Sequence, residues 1–382
     1  MIGFRMPTRI LAETGSLERL PEAARSLGLV SVLLVTDRGL RETEWIDTAR
    51  RGLEDTGIRV QIFDEVEPNP RTTTATHAAD LLRAGDLDGV VALGGGSAMD
   101  AAKAAAMLAE NELRIEQYEG RDRYAVEPRP MIAIPTTCGT GSEVTSVSVL
   151  TLELTRSKIS VKGESMFPRQ ALVDSNLIAS LPGEMVAWTG LDALTHAIEA
   201  AIGTAANPVS NALADEAVRR LVHHLPRAAA DPRGDHAARD SVMLASTLAG
   251  MAFANADVGA VHCLSESIGG LRDTPHGLTN AILLLPVLRY HRPYAVETLA
   301  RLDRAAYPGS LDGASDTEHA DHFLDALGDL LRGLAVPGYA SLGVPVDAVD
   351  RLAEQAVRNG SNRSNPQPMS PSSYREILSG LA

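Results

Sequence analysis

Gly89-Val90-Val91-Ala92-Leu93 runs straight into Gly94-Gly95-Gly96-Ser97, and Ala98 to Ala109 (AMDAAKAAAMLA) follows. The apolar run has the length of a buried strand, and the Ala-rich run is a strong helix former. A glycine turn between them lets other atoms approach the backbone closely. It also leaves first-turn N–H groups unpaired at the positive end of a helix dipole, a combination that suits an anion such as a dinucleotide pyrophosphate. A tight strand-to-helix connection without a ligand is the other reading. The pattern is neither GxGxxG nor a P-loop, because no Gly-Lys-Ser/Thr follows.

Outward from this turn the same alternation repeats. Val30 to Thr36 (VSVLLVT) reads as a strand, Ile46 to Thr56 as a helix ending at Gly57, and Arg59 to Phe63 as a strand. Thr72 to Ala84 has helical spacing and ends at Gly85; Met131 to Ile134 is a further strand, stopped by Pro135. Strands separated by helices of this length predict a parallel sheet covered on both faces. A second turn, Pro135 to Glu143 (PTTCGTGSE), also leaves a strand end, the edge where open α/β sheets bind ligands. Cys138 within it reads as a small buried residue, since no neighbouring pattern activates it.

Beyond Pro182 the texture changes to long Ala/Leu-rich helical stretches: Asp192 to Ile202, Ser210 to His223 and His236 to Phe253. Two domains are therefore expected, an α/β Rossmann-like one over 1–181 and an all-α one over 182–382, the natural division for 382 residues. Asn359 to Ser373 is rich in Ser, Asn and Pro and reads as a surface loop or the wall of a site.

The net charge of −14 disfavours binding to phosphate backbones. Two cysteines, Cys138 and Cys263, exclude a disulfide framework and fit a reducing compartment. No apolar run reaches membrane-spanning length and the N-terminal residues lack a signal peptide's apolar stretch, so a cytoplasmic location is expected.

Asp192 and His196 are four apart and project from one helix face. With His262 (in DVGAVH) and His276 (in DTPHG) they make one carboxylate and three imidazoles, a set that binds a divalent first-row metal. A helix ion pair and ordinary core histidines are the alternative. His319 and His322 lie in an acidic helix that reads as solvated.

GGGSAMDAAK, PTTCGTGSEVT, GLDALTHAIEA and VHCLSESIGGLRDTPHGLTNAILL, in this order and spacing, closely resemble the iron-containing (group III) alcohol dehydrogenases. The resemblance spans nearly the whole chain. It implies a Rossmann-like domain, a helical domain and a cleft between them, with metal ligands on Asp192, His196, His262 and His276. It places the pyrophosphate loop on Gly95, Gly96 and Ser97, and further cofactor contacts on Asn69, Asp100, Thr136, Thr137, Thr140, Val149 and Lys158. Asp37 falls where the adenosine ribose lies; a carboxylate there accepts from ribose hydroxyls and repels a 2′-phosphate, which predicts NAD(H) over NADP(H).

The implied chemistry is hydride transfer between an alcohol or aldehyde and the nicotinamide, with the metal as Lewis acid. The resemblance favours Fe(II), with Zn(II) as the contender, and a homodimer. One departure is Glu266, which stands where many members carry a second histidine four residues after the third ligand. Relay of a proton, approach to the metal, selection of a substrate bearing a hydroxyl or positive group, and orientation of a ligand are its open roles. Phe253 and Ser361 match positions bordering the substrate cleft, or are packing residues. A maleylacetate reductase of the same fold is the nearest alternative; a non-catalytic nucleotide-binding protein is the alternative from another class.

Overall fold

In the first unit, alternation along the strands decides which core each residue joins. The structure is a computed structural model that describes residues 3–155 and 157–381. Its strands are β1 (Arg9–Ala12), β2 (Ser31–Asp37), β3 (Arg59–Val66), β4 (Gly89–Gly94), β5 (Gly120–Arg121), β6 (Met131–Pro135), β7 (Val147–Leu152), β8 (Ser157–Lys162) and β9 (Gln170–Val173). Six form a sheet in the order β1-β9-β6-β4-β2-β3, every pairing parallel. Its helices are α1 (Leu20–Ser26), α2 (Arg38–Arg41), α3 (Glu44–Glu54), α4 (Thr72–Ala84) and α5 (Gly96–Glu110).

Successive strand residues point to opposite faces. Leu33, Val35, Val90, Ala92 and Ala133 enter one core with Ala78 and Leu82 of α4 and Met99 and Ala102 of α5. Val32, Leu34, Val91, Leu93 and Ile132 enter the other with Leu20 of α1 and Ile46 and Leu53 of α3. Burial on both faces explains why these strands read as unbroken apolar runs.

The sequence reading did not anticipate β1, β9 or the small sheet β5-β8-β7, whose β7 and β8 pair antiparallel. β1 and β9 have four residues each, and β7 and β8 carry Ser, Thr and Lys among their apolar residues. Such segments give little periodic signal.

The second unit comprises Cys138–Thr140 and the chain from Ser180 onward, joined by the N-terminal residues up to Arg5. Its helices are α6 (Gly183–Ile202), α7 (Pro208–Ala230), α8 (His236–Ala254), α9 (Ala260–Arg272), α10 (His276–Ala306), α11 (Asp316–Gly333), α12 (Val349–Arg358) and α13 (Pro371–Ser379). Among the described residues it holds no strand. α6 is buried continuously from Gly190 to Ile202, and Gly190 lets the Leu225 side chain of α7 pack where a Cβ would stand. α10 is kinked at Ala295, two residues after Pro293.

His319 departs from the solvated reading. It is buried on α11, and its Nδ1 lies 2.7 Å from Oδ2 of the fully buried Asp303, whose Oδ1 is 2.6 Å from Nδ1 of His322. A buried carboxylate needs such partners, and they come from another helix. No helix among the described residues is long and apolar enough to cross a membrane.

Candidate metal centre and cofactor turn

Asp192, His196 and Glu199 lie at i, i+4 and i+7 on α6 and so share one face. All three are buried, at 2%, 5% and 2% exposure. His262 lies in the first turn of α9, and His276 is the first residue of α10, after Pro275. Donor atoms of Asp192, His196 and His262 all lie within 4.8 Å of one another. His262 Nε2 is 3.0 Å from His196 Nε2 and 3.9 Å from Asp192 Oδ1. His276 is not part of this mutually close group of three, but its Nε2 lies 3.7 Å from Asp192 Oδ1.

Burial pushes the His196 imidazole down to about 4, so at neutral pH it is an uncharged acceptor. Burial opposes the charge on Asp192, but His196, His276 and His262 outweigh it and hold that carboxyl below its usual range. One amide, that of Asn280, reaches into the same pocket. Its Nδ2 is 2.6 Å from Asp192 Oδ1, 3.1 Å from His262 Nε2 and 3.2 Å from His276 Nε2. Two imidazole nitrogens 3.0 Å apart need a proton or a cation between them. A carboxylate and converging imidazole nitrogens, buried together, fit a divalent transition metal.

Glu199 was not singled out from the sequence. Its Oε2 accepts from His262 Nδ1 (2.6 Å) and Gly259 N (2.9 Å), and its Oε1 from Val261 N (2.7 Å). Burial would lower the His262 imidazole, but Glu199, then Asp192 and Glu266, more than offset it and hold it above its ordinary value. One signal was available: an acidic residue at helical spacing from both ligands in an otherwise apolar run.

Glu266 is outside the metal group among the described residues. It lies one turn after His262 on α9, half-buried, and its Oε2 accepts from Asn359 Nδ2 at 2.7 Å. The Ser/Asn-rich stretch after α12 thus packs against the ligand helix. Ser361 is buried and donates to Asp257 Oδ1 (2.8 Å), Ser364 donates to Asp257 Oδ2 (2.8 Å), and Asn365 Oδ1 accepts from Ala260 N (2.8 Å). Phe253 stacks on His196, with ring centroids 4.3 Å apart and planes at 17°. Cys138 is buried as the sequence implied, and burial pushes its thiol up to about 11.

Of the candidate cofactor residues, Asp37, Gly95, Gly96, Ser97, Thr136 and Thr137 lie at or just after the C-terminal ends of β2, β4 and β6, whereas Val149 and Lys158 lie on β7 and β8 of the small sheet. Gly95 precedes α5, and Gly96 and Ser97 begin it. Thr136 N donates to Gly94 O (3.0 Å), joining the ends of β6 and β4. Thr137 lies beside Gly95, and its buried Oγ1 has no hydrogen-bond partner. Asp37 ends β2, and its Oδ1 accepts from Leu40 N (3.1 Å), capping α2. A Cβ on Gly94 would lie 3.9 Å from Asp37 Oδ2, so the carboxylate faces the glycine turn. Asn69 has a left-handed φ of 53°, and Thr151 Oγ1 donates to its carbonyl (3.3 Å). Lys158 is on β8, and Thr140 belongs to the short segment counted with the helical unit.

Asp100 and Val149 bond to each other rather than standing open. Asp100 Oδ2 accepts from Val149 N (3.0 Å) and Oδ1 from Ser142 Oγ (2.8 Å). Burial holds the Asp100 carboxyl above its usual value despite Lys103. Lys103, fully enclosed, donates to Ser142 Oγ (2.7 Å), Thr145 Oγ1 (3.0 Å) and Val147 O (2.9 Å). Burial pushes its ammonium down to about 8.

Comparison with known proteins agrees with this geometry. Residues 7–175 match the family described as iron-containing alcohol dehydrogenase, and residues 186–381 match the C-terminal domain of the same family. A choline dehydrogenase of Bacillus subtilis is 34% identical, over 98% of this chain and 93% of its own. An NAD-dependent methanol dehydrogenase of Bacillus methanolicus is 31% identical over 99% of both chains. The crystal structure of a 1,3-propanediol oxidoreductase superimposes with a TM-score of 0.96 at 34% identity, covering both chains completely.

Proposed function

The chain belongs to the iron-containing alcohol dehydrogenase family, and from that premise we propose that it interconverts small alcohols and aldehydes using NAD(H) and one divalent metal ion. The observation that carries this reading is the buried convergence of Asp192, His196 and His262, with His276 Nε2 3.7 Å from the same Asp192 oxygen. Those four residues would hold the ion, which supplies Lewis acidity toward the alcohol or carbonyl oxygen. Fe(II) is the proposed ion and Zn(II) the contender.

The residues supply orientation and a dry setting. Phe253 covers one face of His196 and keeps water from that side. Gly95, Gly96 and Ser97 would receive the pyrophosphate on the N-terminus of α5, with the Thr137 hydroxyl as a further donor. Asp37 would accept from the adenosine ribose, which supports NAD(H). Asn69, Thr136, Thr140 and Lys158 are proposed as further contacts. We assign Asp100 and Val149 to shaping that edge, since each satisfies the other. A homodimer in the cytoplasm completes the proposal.

The test is elemental analysis followed by chelation and anaerobic reconstitution, with NADH consumption read over an aldehyde panel. Activity restored by ferrous iron is expected. Full activity with zinc and none with iron overturns the choice of metal, and protein that retains no metal overturns the reading itself.

A second reading concerns the substrate's charge. Asp192, Glu199 and Glu266 all act on His262, an anionic setting that disfavours a dicarboxylate such as maleylacetate and suits a cationic alcohol. The B. subtilis relative named for choline is consistent with it. Choline should then be preferred to its neutral carbon isostere, and Glu266→Gln should cut that preference about tenfold, the size of one interaction with a charged group. Equal kcat/KM for both alcohols in both proteins excludes this reading.

A further inference from the structure

α9 begins without a capping side chain of its own: Gly259 precedes it and supplies none. The first N–H groups of a helix must nevertheless be satisfied when buried. They are satisfied from a distance. Glu199 of α6 takes Gly259 N and Val261 N, while Asn365 takes Ala260 N. Gly259 permits this approach, since a Cβ there would lie 2.8 Å from Asn365 Oδ1 and 3.1 Å from Glu199 Oε1.

The same carboxylate reaches one atom further. Its Oε2 meets His262 Nδ1 at 2.6 Å, leaving His262 Nε2 aimed at His196 Nε2 and Asp192 Oδ1. A carboxylate on Nδ1 keeps the proton there, frees the Nε2 lone pair and fixes the plane of the ring. Because Glu199 shares the α6 face with Asp192 and His196, one helix face carries two ligands and the group that aims the third. Asn365 bonds the helix cap at Ala260 N and, through its amide, the Asn362 carbonyl, while the His262 Nδ1 bond is made by Glu199, so capping and aiming can be separated experimentally.

We propose that Glu199 is the positioning residue of the metal centre, setting metal affinity by fixing His262 with Nδ1 protonated and Nε2 free to ligate. This rests on the metal-site reading above. The experiment measures Zn(II) affinity of the full-length protein by competition with a chromophoric chelator, in wild type, Glu199→Gln and Asn365→Ala, together with melting temperatures of the metal-free forms. Glu199→Gln should weaken Zn(II) binding ~10- to 100-fold, the usual range for an outer partner of a ligating histidine. Asn365→Ala should lower the melting temperature and leave the affinity within about threefold, because the imidazole bond survives.

Unchanged affinity in Glu199→Gln overturns the proposal. So does an equal loss in Asn365→Ala, which would trace the effect to the cap. Should Glu199→Gln fail to fold, the nitrogen NMR signature of His262 in Zn(II)-loaded wild type decides. A protonated Nδ1 with a ligated Nε2 is expected, and the opposite tautomer refutes the assignment. Wild-type protein that binds no Zn(II) would instead count against the metal-site reading.

Discussion

In the α/β unit, Lys103 is enclosed beside Asp100 with Ser142, Thr145 and the Val147 carbonyl around it, so every proton of its ammonium has an acceptor. In the helical unit, Asp192 faces three imidazoles and a single amide donor. Both clusters are buried, and burial shifts ionisation in both. They differ in balance. The first carries its own ammonium beside the carboxylates of Asp100 and Glu143, with an acceptor for each of its protons. The second, among the described residues, sets no lysine or arginine against Asp192 and brings its carboxylate against imidazole nitrogens. A buried carboxylate is therefore not by itself a mark of function, whereas an unbalanced set of converging acceptors is.

The sharpest way to break the comparison is to change one member of the unbalanced cluster. Asp192→Asn should lower metal affinity by well over the ~100-fold seen for outer partners of a ligand, with the fold retained by circular dichroism. Zn(II) bound as tightly as in wild type would remove Asp192 from the ligand set. The balanced cluster should fail in the opposite way. Lys103→Met should destabilise the protein by roughly 3–5 kcal/mol, the cost of breaking a buried ion pair, as read from urea unfolding. A loss near zero would show that the network adds no stability.

Lys103 also carries a sign that can be checked. Its folded value of about 8 lies below the ordinary 10.5. Between those values the unfolded chain binds the extra proton, so this group's contribution to stability rises as pH increases from about 8 to 10.5. The slope should be absent from Lys103→Met, and identical slopes in both proteins would contradict the assignment. The smallest effect is expected at Asp37, which belongs to neither cluster. Asp37→Gly should erode discrimination against NADPH by about tenfold, the worth of one charged hydrogen bond, measured as the ratio of kcat/KM for the two cofactors.

Much of the fold was legible because parallel strands buried on both faces write unbroken apolar runs. β2, β4 and β6 were read from such runs, and α4 from its spacing and the glycine that ends it. β1 and β9 were not, since four residues set no period. Asp192 and His196 could be paired by spacing, His262 and His276 joined them as a candidate set by residue type and local sequence, and the family's motifs fell on the same four. His319 was misread because its partner Asp303 lies 16 residues away on another helix. Asn359 to Ser373 left its role open, and contacts with α9 made by Asn359 and Asn365 give it one.

The sequence by itself determined the alternation of the longer buried strands with helices, the glycine turn and the types of ligand, since these rest on local period and composition. Only the tertiary structure decided which acceptors face one another, which polar groups are already satisfied, and that Glu199 rather than Glu266 grips His262. Those outcomes depend on distances between helices far apart in the chain, which local chemistry does not encode.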